Sequence, residues 1–261
     1  MNRCDSGTDS IVWMEEDVKD GSFAAPKRGE LWCWKGVLFF MKKTMDTKKL
    51  ATMAMLAALA FVVMSVTRLP LMAAAPFLKY DPKDVILVIG GFLYGPAAAA
   101  AMPLVVCLME MFTLSESGIV GFAMNFLASA AFICPAAMIY QKRRTIGGAV
   151  AGLLCGVVLM TGTMLMWNWI ITPFYQKIPR EAVETMLIPV FLPFNAVKGS
   201  LNMALAVLLY QPINNALRRL HLLPALPDGK VRRRLNPTVL AFGAVLLVVC
   251  VVIVLKMLGK I

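Results

Sequence analysis

A few polar side chains interrupt the apolar segments of this chain, and they are the residues that could do chemistry. Lys198 is the only charged residue in the run 185–217 and lies near its middle. Asn195 and Asn202 lie one helical turn on either side of it, which places the three side chains near one face. An ammonium group at the centre of a bilayer costs about 2.5–3.5 kcal/mol, so Lys198 is expected to contact a ligand. The alternative is that Lys198 forms a packing ion pair with Glu110.

Two more asparagines lie in apolar segments. Asn125 interrupts the run 119–140, and Asn168 stands between Trp167 and Trp169. An asparagine inside a membrane bundle either bonds a neighbouring helix or contacts a ligand, and the sequence leaves both open. The two tryptophans are also typical of the aromatic belt at a membrane interface.

The sequence lacks the common catalytic patterns. It contains no His-Glu-x-x-His, Gly-x-Ser-x-Gly or Gly-x-x-x-x-Gly-Lys-Ser/Thr motif, and its six cysteines have no metal-ligand spacing. We therefore expect no enzyme activity, no bound metal and no cofactor in this chain. If ATP drives its activity, another subunit must hydrolyse it.

The composition indicates an integral membrane protein. Of the 261 residues, 59% are hydrophobic and 16% are charged, whereas soluble domains carry about 45–50% apolar and about 25% charged residues. The net charge of +11 fits cytoplasmic loops that face anionic lipid better than it fits a nucleic-acid partner.

Apolar runs between charged breaks predict an all-α fold with six transmembrane helices and a seventh near the C-terminus. The predicted spans are 49–66, 84–95, 97–113, 119–140, 146–172, 186–210 and 237–255. Basic clusters precede the first span and follow the fourth and sixth, so the positive-inside rule places these ends and the N-terminus in the cytoplasm. The predicted domains are a six-helix unit over 41–215, a basic cytoplasmic loop over 216–236 and an additional transmembrane helix over 237–261.

The N-terminal segment differs from the rest. Residues 1–40 are polar and have no signal-peptide pattern, whereas Met41 begins a short basic leader into an apolar helix, as is common in multi-pass proteins of the bacterial plasma membrane. We therefore expect 1–40 to be an extension that is disordered or precedes the true start.

Two further segments bear on mechanism. The outer loop 70–84 is too apolar for a freely solvated linker, so it either closes over an outward-facing pocket or lies in the membrane interface. Ala54 and Ala58 form a small-x-x-x-small pair that lets another helix approach closely, either from the same bundle or from a partner.

Several short motifs follow one another in a specific order. A basic leader enters an alanine-rich first helix, and then come FLKYDPKD at 77–84, GGFLYGP at 90–96, MNFLA at 124–128, NWIITPFY at 168–175 and PFNAVKG at 193–199. Together they resemble the riboflavin-binding S component of energy-coupling factor (ECF) transporters over about residues 41–215.

The resemblance implies a six-helix subunit that captures riboflavin outside the cell and delivers it inward by toppling in the bilayer. It would dock on a transmembrane coupling subunit that carries two ATP-binding cassette ATPases. Ala54 and Ala58 would face the coupling subunit. The residues expected at the riboflavin site are Lys198, Asn195, Asn125, Asn168, Tyr80, Asp81 and Glu110.

Three alternatives remain at this point. The chain could be an S component for another vitamin or precursor, because these subunits share a fold and differ in pocket polarity. It could be a stand-alone carrier driven by an ion gradient, for which Glu110 is the only candidate membrane acid. An intramembrane enzyme is the third alternative, and the missing catalytic motifs disfavour it.

Overall fold

The computed structural model describes residues 47–71, 78–114, 117–177, 179–220 and 237–258. These ranges contain α1 (Thr47–Val66), β1 (Leu69–Pro70), β2 (Lys79–Tyr80), α2 (Lys83–Tyr94), α3 (Pro96–Thr113), α4 (Gly118–Arg143), α5 (Ile146–Gln176), α6 (Arg180–Met186), a π-helical segment (Leu187–Phe191), α7 (Leu192–Arg219) and α8 (Pro237–Met257). The two short strands pair antiparallel, with Leu69 opposite Tyr80. The prediction of an all-α membrane protein is confirmed.

Five helical segments in the described ranges are long and apolar enough to cross a membrane, namely α1, α3, α4, α5 and the run Arg180–Tyr210. The helix α2 has 12 residues, which at 1.5 Å per residue is about 18 Å and shorter than a bilayer core of about 30 Å. The helix α8 contains a shorter apolar stretch, Ala241–Met257. The count of six or seven spans therefore stays a prediction.

Apolar side chains cover the outside of the bundle. Phe112 and Ile119 are each 77% exposed, and such a surface suits contact with lipid tails rather than with water. The protein is therefore a multi-pass membrane protein.

The predicted spans fall on observed helices and differ from them at the ends. The sixth predicted span, 186–210, contains the π-helical segment and the first part of α7, and α6 precedes it from Arg180. Charged residues at 180, 181 and 184 make α6 polar, so a search for apolar runs misses it. At its other end α7 continues to Arg219, so residues 216–219 belong to a helix instead of the predicted loop 216–236. The rest of that loop beyond residue 220, and the predicted extension 1–40, lie outside the described residues.

A tight turn joins α2 to α3 at Gly95. The backbone φ of Gly95 is +96°, and a Cβ there would lie 2.1 Å from Nε2 of Gln141. This backbone conformation is strained for other residues and free for glycine, so glycine is favoured there. The turn therefore lies beside the C-terminal end of α4.

Three aromatic rings mark this end of the bundle. The ring centroids of Phe92 and Tyr140 are 4.5 Å apart, and the hydroxyl groups of Tyr140 and Tyr210 are 2.8 Å apart. The basic residues 142–144 come just after Tyr140, at the end of α4, and Arg219 ends α7 beyond Tyr210. These basic positions therefore lie at the same end of the molecule.

Close backbone packing sets the position of α5 against α4. A Cβ on Gly156 would lie 2.3 Å from the carbonyl oxygen of Phe132, and one on Gly152 would lie 2.8 Å from that of Ala136. Glycine at both positions lets the two helices approach each other's backbone. Because the two helices are antiparallel, the C-terminal half of α5, with Asn168, lies at the end of the bundle opposite Tyr140 and Tyr210.

Candidate functional site

A cavity of about 230 Å³ lies at the end of the bundle opposite Tyr140 and Tyr210. Helices α3, α4 and α5 and the segment between α1 and α2 contribute its walls. The lining side chains include the polar residues Arg68, Asp81, Glu110, Asn125, Asn168 and Thr172 and the apolar residues Leu78, Val120, Met124, Trp167 and Ile171.

Glu110 on α3 organises one wall of the cavity. Its side chain is 2% exposed, and its Oε1 accepts a hydrogen bond from Asn125 Nδ2 at 2.7 Å and an ion-paired one from Arg68. Its Oε2 accepts from Lys83 Nζ at 3.3 Å. Arg68 also donates to the carbonyl oxygen of Leu114 at 3.1 Å. These three donors compensate the buried carboxylate. The carboxylate in turn fixes the positions of Arg68 and Asn125 at the cavity.

Asp81 lies between two lysines beside the cavity. Lys198 Nζ lies 2.7 Å from Asp81 Oδ1, and Lys83 Nζ pairs with Asp81 Oδ2. The packing ion pair between Lys198 and Glu110 is therefore wrong as an alternative, because Glu110 is taken by Arg68 and Lys83 and the partner of Lys198 is Asp81. Burial favours protonation of Asp81, but the two ammonium groups outweigh it and hold the pKa of Asp81 below its usual range.

A second buried network attaches strand β2 to the bundle. The hydroxyl of Tyr80 donates to Asn202 Oδ1 at 2.8 Å, and Asn202 Nδ2 lies 3.4 Å from Asp84 Oδ2. Ser129 Oγ donates to Asp84 Oδ1 at 2.6 Å. Burial, with Asp81 and Asp84 nearby, raises the pKa of Tyr80, so its hydroxyl stays protonated and able to donate. The network connects β2 to α7, α2 and α4.

Asn168 and Asn195 bond mainly within their own helices. Asn168 Nδ2 donates to the carbonyl oxygen of Met164 at 2.7 Å, and its Oδ1 accepts from Thr172 Oγ1 at 3.0 Å. Asn195 Nδ2 donates to the carbonyl oxygen of Phe191 at 2.8 Å, at the end of the π-helical segment. Each amide therefore compensates a local backbone group, and Asn168 in addition faces the cavity.

The structure brings the predicted site residues into one region in two layers. Asn125, Asn168, Asp81 and Glu110 line the cavity. Within the described residues, Lys198, Asn195 and Tyr80 are not among its lining residues, and they lie buried behind it.

The remaining predicted residues, Ala54 and Ala58, are exposed on α1. They lie away from the cavity, on a helix face that the described part of the chain leaves uncovered. This exposure is what a contact with another helix requires.

Sequence reasoning missed several polar residues of this region, among them Arg68, Lys83, Asp84, Ser129 and Thr172. Lys83 and Asp84 are each 1% exposed although they begin an apolar helix. Two adjacent opposite charges directly before an apolar run were the available signal. It was missed because water-facing charges and buried charge partners look alike in sequence. Arg68 and Ser129 carried no such signal.

The arrangement can bind a flat, partly polar molecule. The cavity lining combines the apolar side chains of Trp167, Ile171 and Met124 with amide and charged groups, a combination typical of small-molecule sites. Among the described residues, no three His, Cys, Asp or Glu side chains meet as metal ligands would. The lining residues can recognise a small molecule by shape and hydrogen bonding.

A family model described as the substrate-specific component of ECF transporters matches residues 48–210. The chain belongs to this family. The matched S-component region runs from α1 into α7 and ends before α8, so it contains the cavity and every residue predicted for the site.

The chain is also similar to curated relatives. It is 31% identical to the riboflavin transporter RibU of Staphylococcus aureus, over 67% of this chain and 95% of the relative. It is 32% identical to the riboflavin transporter FmnP of Bacillus subtilis, over 59% of this chain and 86% of the relative. A solved S component of a bacterial ECF transporter is 30% identical with a TM-score of 0.56, over 67% of this chain and 100% of the solved one.

Proposed function

We propose that this S component captures riboflavin outside the cell and delivers it inward as part of an ECF importer. The observation that carries the proposal is the cavity, whose lining combines apolar side chains with amide and charged groups in a chain related to riboflavin transporters. A flavin has a flat aromatic ring system, an imide edge and a hydroxylated chain, and these three parts need such a mixed surface.

The seven residues expected at the site divide by their position. Asn125 and Asn168 face the cavity with an amide and contact the polar edge of the ligand directly. Asp81 and Glu110 also face the cavity, and they accept hydrogen bonds from the ribityl hydroxyl groups.

Lys198, Asn195 and Tyr80 act from the second layer. Lys198 keeps Asp81 charged and oriented through the 2.7 Å ion pair. Tyr80 holds the strand next to Asp81, through its bond to Asn202. Asn195 stabilises the π-helical segment that directly precedes α7.

The importer needs partner subunits, because this chain has no nucleotide-binding motif and catalyses no reaction. The exposed Ala54 and Ala58 provide the close-approach surface for the transmembrane coupling subunit, which joins two ATP-binding cassette ATPases. The basic end of the bundle, with residues 142–144 and Arg219, faces the cytoplasm together with the N-terminus. The cavity then opens toward the outside.

Purified full-length protein tests the proposal. The protein is expected to retain or bind riboflavin, which is measured by visible absorbance and by quenching of flavin fluorescence. Lys198→Ala is expected to lose most of this binding. Lys142→Ala is expected to keep it, because Lys142 is exposed at the C-terminal end of α4, away from the cavity. Colourless protein that does not respond to riboflavin would contradict the proposal.

Vesicle transport separates the importer from a stand-alone carrier. Uptake of riboflavin into vesicles is expected only when the coupling subunit, both ATPases and ATP are present. Uptake by vesicles that contain this chain alone would mean a self-sufficient carrier instead.

A further inference from the structure

The C-terminal helix α8 lies outside the family match, yet it packs along α7. A Cβ on Gly243 would lie 3.0 Å from Cδ2 of Leu208, so the two helices are in close contact at that point. Two turns further along α8, Cys250 is 2% exposed although it lies near the end of the chain. One face of α8 is therefore covered by the bundle over most of its length.

The last turns of α8 pack against an apolar cluster that includes residues beside the cavity. Val254 and Met257 pack against an apolar cluster that contains Leu71, Leu78 and Tyr80. Leu71 directly follows β1, Leu78 directly precedes β2, and Tyr80 belongs to β2. This end of α8 thus shares one apolar cluster with residues beside the two strands and with Phe191, Phe194 and Val197 of the π-helical segment and α7.

The same strands hold one wall of the cavity. Leu78 and Asp81, on either side of Tyr80, line the cavity. Tyr80 is attached to α7 by its bond to Asn202, and Asp81 is attached to α7 by its ion pair with Lys198. Movement of β2 away from α7 would break both attachments and open that wall.

We propose that α8 is a brace for this wall, and that Val254 and Met257 are positioning residues that slow the release of the bound molecule. The identity of that molecule as riboflavin rests on the proposed function. The two side chains touch no ligand and act through the apolar cluster behind β2. Their loss lets β2 separate from α7 more often, which raises the dissociation rate more than the association rate.

The helix itself offers a matched control. Val248 and Val252 lie on the opposite face of α8 and are 58% and 46% exposed. Replacing them with alanine removes the same kind of side chain from the same helix without touching the apolar cluster.

The first measurement is the dissociation rate of riboflavin from the full-length protein in lipid discs, followed by the recovery of flavin fluorescence. Val254→Ala with Met257→Ala is expected to speed release by roughly threefold to tenfold, and Val248→Ala with Val252→Ala is expected to leave it unchanged. Val254→Ile with Met257→Leu restores apolar volume and keeps slow release. Equal rates in all four proteins would overturn the brace.

The second measurement needs no ligand, so it separates failure of the brace from failure of the proposed function. Amide hydrogen exchange of residues 78–81 is expected to be faster in the Val254→Ala, Met257→Ala protein than in the parent and in the Val248→Ala, Val252→Ala protein. If exchange is the same in all of them, the brace is refuted even where riboflavin binds. If the parent binds no riboflavin but exchange differs as expected, the brace stands and the proposed ligand fails.

Discussion

The ammonium group of Lys198 lies 2.7 Å from the carboxylate of Asp81, and this ion pair joins α7 to the segment between α1 and α2. Both side chains are buried, at 7% and 4% exposure. Removing one member of a buried pair leaves the other charge without compensation, which is more costly than removing both.

We therefore expect Lys198→Met and Asp81→Asn each to lower stability, by about 3–5 kcal/mol for the loss of one partner of a buried pair. The double variant is expected to lose less than the sum, by about 0.5–3 kcal/mol. Unfolding midpoints of the purified proteins in one detergent measure the three effects. Strictly additive losses would mean that the two residues act independently.

Glu110 is the acceptor for Arg68, Lys83 and Asn125, so its charge controls one wall of the cavity. Glu110→Gln keeps the shape of the side chain but removes the charge that two cations share. We expect riboflavin affinity to fall by roughly tenfold, which corresponds to about 1.4 kcal/mol, in a fluorescence titration. Glu181→Gln, at an exposed position on α6, serves as the control, and an equal effect of both variants would remove Glu110 from the site.

Gly156 sets the distance between α4 and α5, because a Cβ there would lie 2.3 Å from the carbonyl oxygen of Phe132. Gly156→Ala is expected to push the helices apart and to lower stability by about 1–3 kcal/mol. Gly162→Ala is the control on the same helix, since a Cβ at Gly162 meets nothing within 4 Å. Thermal unfolding temperatures of both variants measure the difference in stability. If the Gly156→Ala protein is as stable as the Gly162→Ala protein, the close contact between α4 and α5 is contradicted.

Ala54 and Ala58 are exposed on α1 and leave room for another helix. Ala54→Trp and Ala58→Trp are therefore expected to block assembly with the coupling subunit while riboflavin binding stays within about twofold of the parent. Ala216→Trp, at an exposed position on α7, tests whether a bulky residue alone has this effect. Co-purification with the coupling subunit measures assembly, and intact complexes with both α1 variants would exclude this face as the interface.

Much of the fold could be predicted because the bilayer imposes a strong and local rule. A helix in lipid needs a long apolar run, so the runs at 49–66, 97–113 and 119–140 predict α1, α3 and α4 to within a few residues. The rule fails where a helix emerges into water. For that reason α6, with its charged residues, could not be recognised by an apolar-run criterion.

The site could be predicted in part for the same reason. Lys198, Asn125 and Asn168 stand out because polar groups are costly in an apolar run, and the structure places all three in or directly behind one cavity wall. Arg68 and Ser129 lie next to helix ends or among small residues, where a polar side chain is ordinary. Their roles depend on neighbours that are distant in sequence.

The amino-acid sequence by itself determined that this protein is a helical membrane protein, and that a lysine within its sixth apolar run, 186–210, needs a partner. Only the tertiary structure decided which partner. Asp81 and Glu110 carry the same charge and were both available, but the pairing of β1 with β2 brings Asp81 to Lys198, while Arg68 and Lys83 occupy Glu110. Helical periodicity acts over one or two turns, whereas the choice between two acids depends on how distant segments pack.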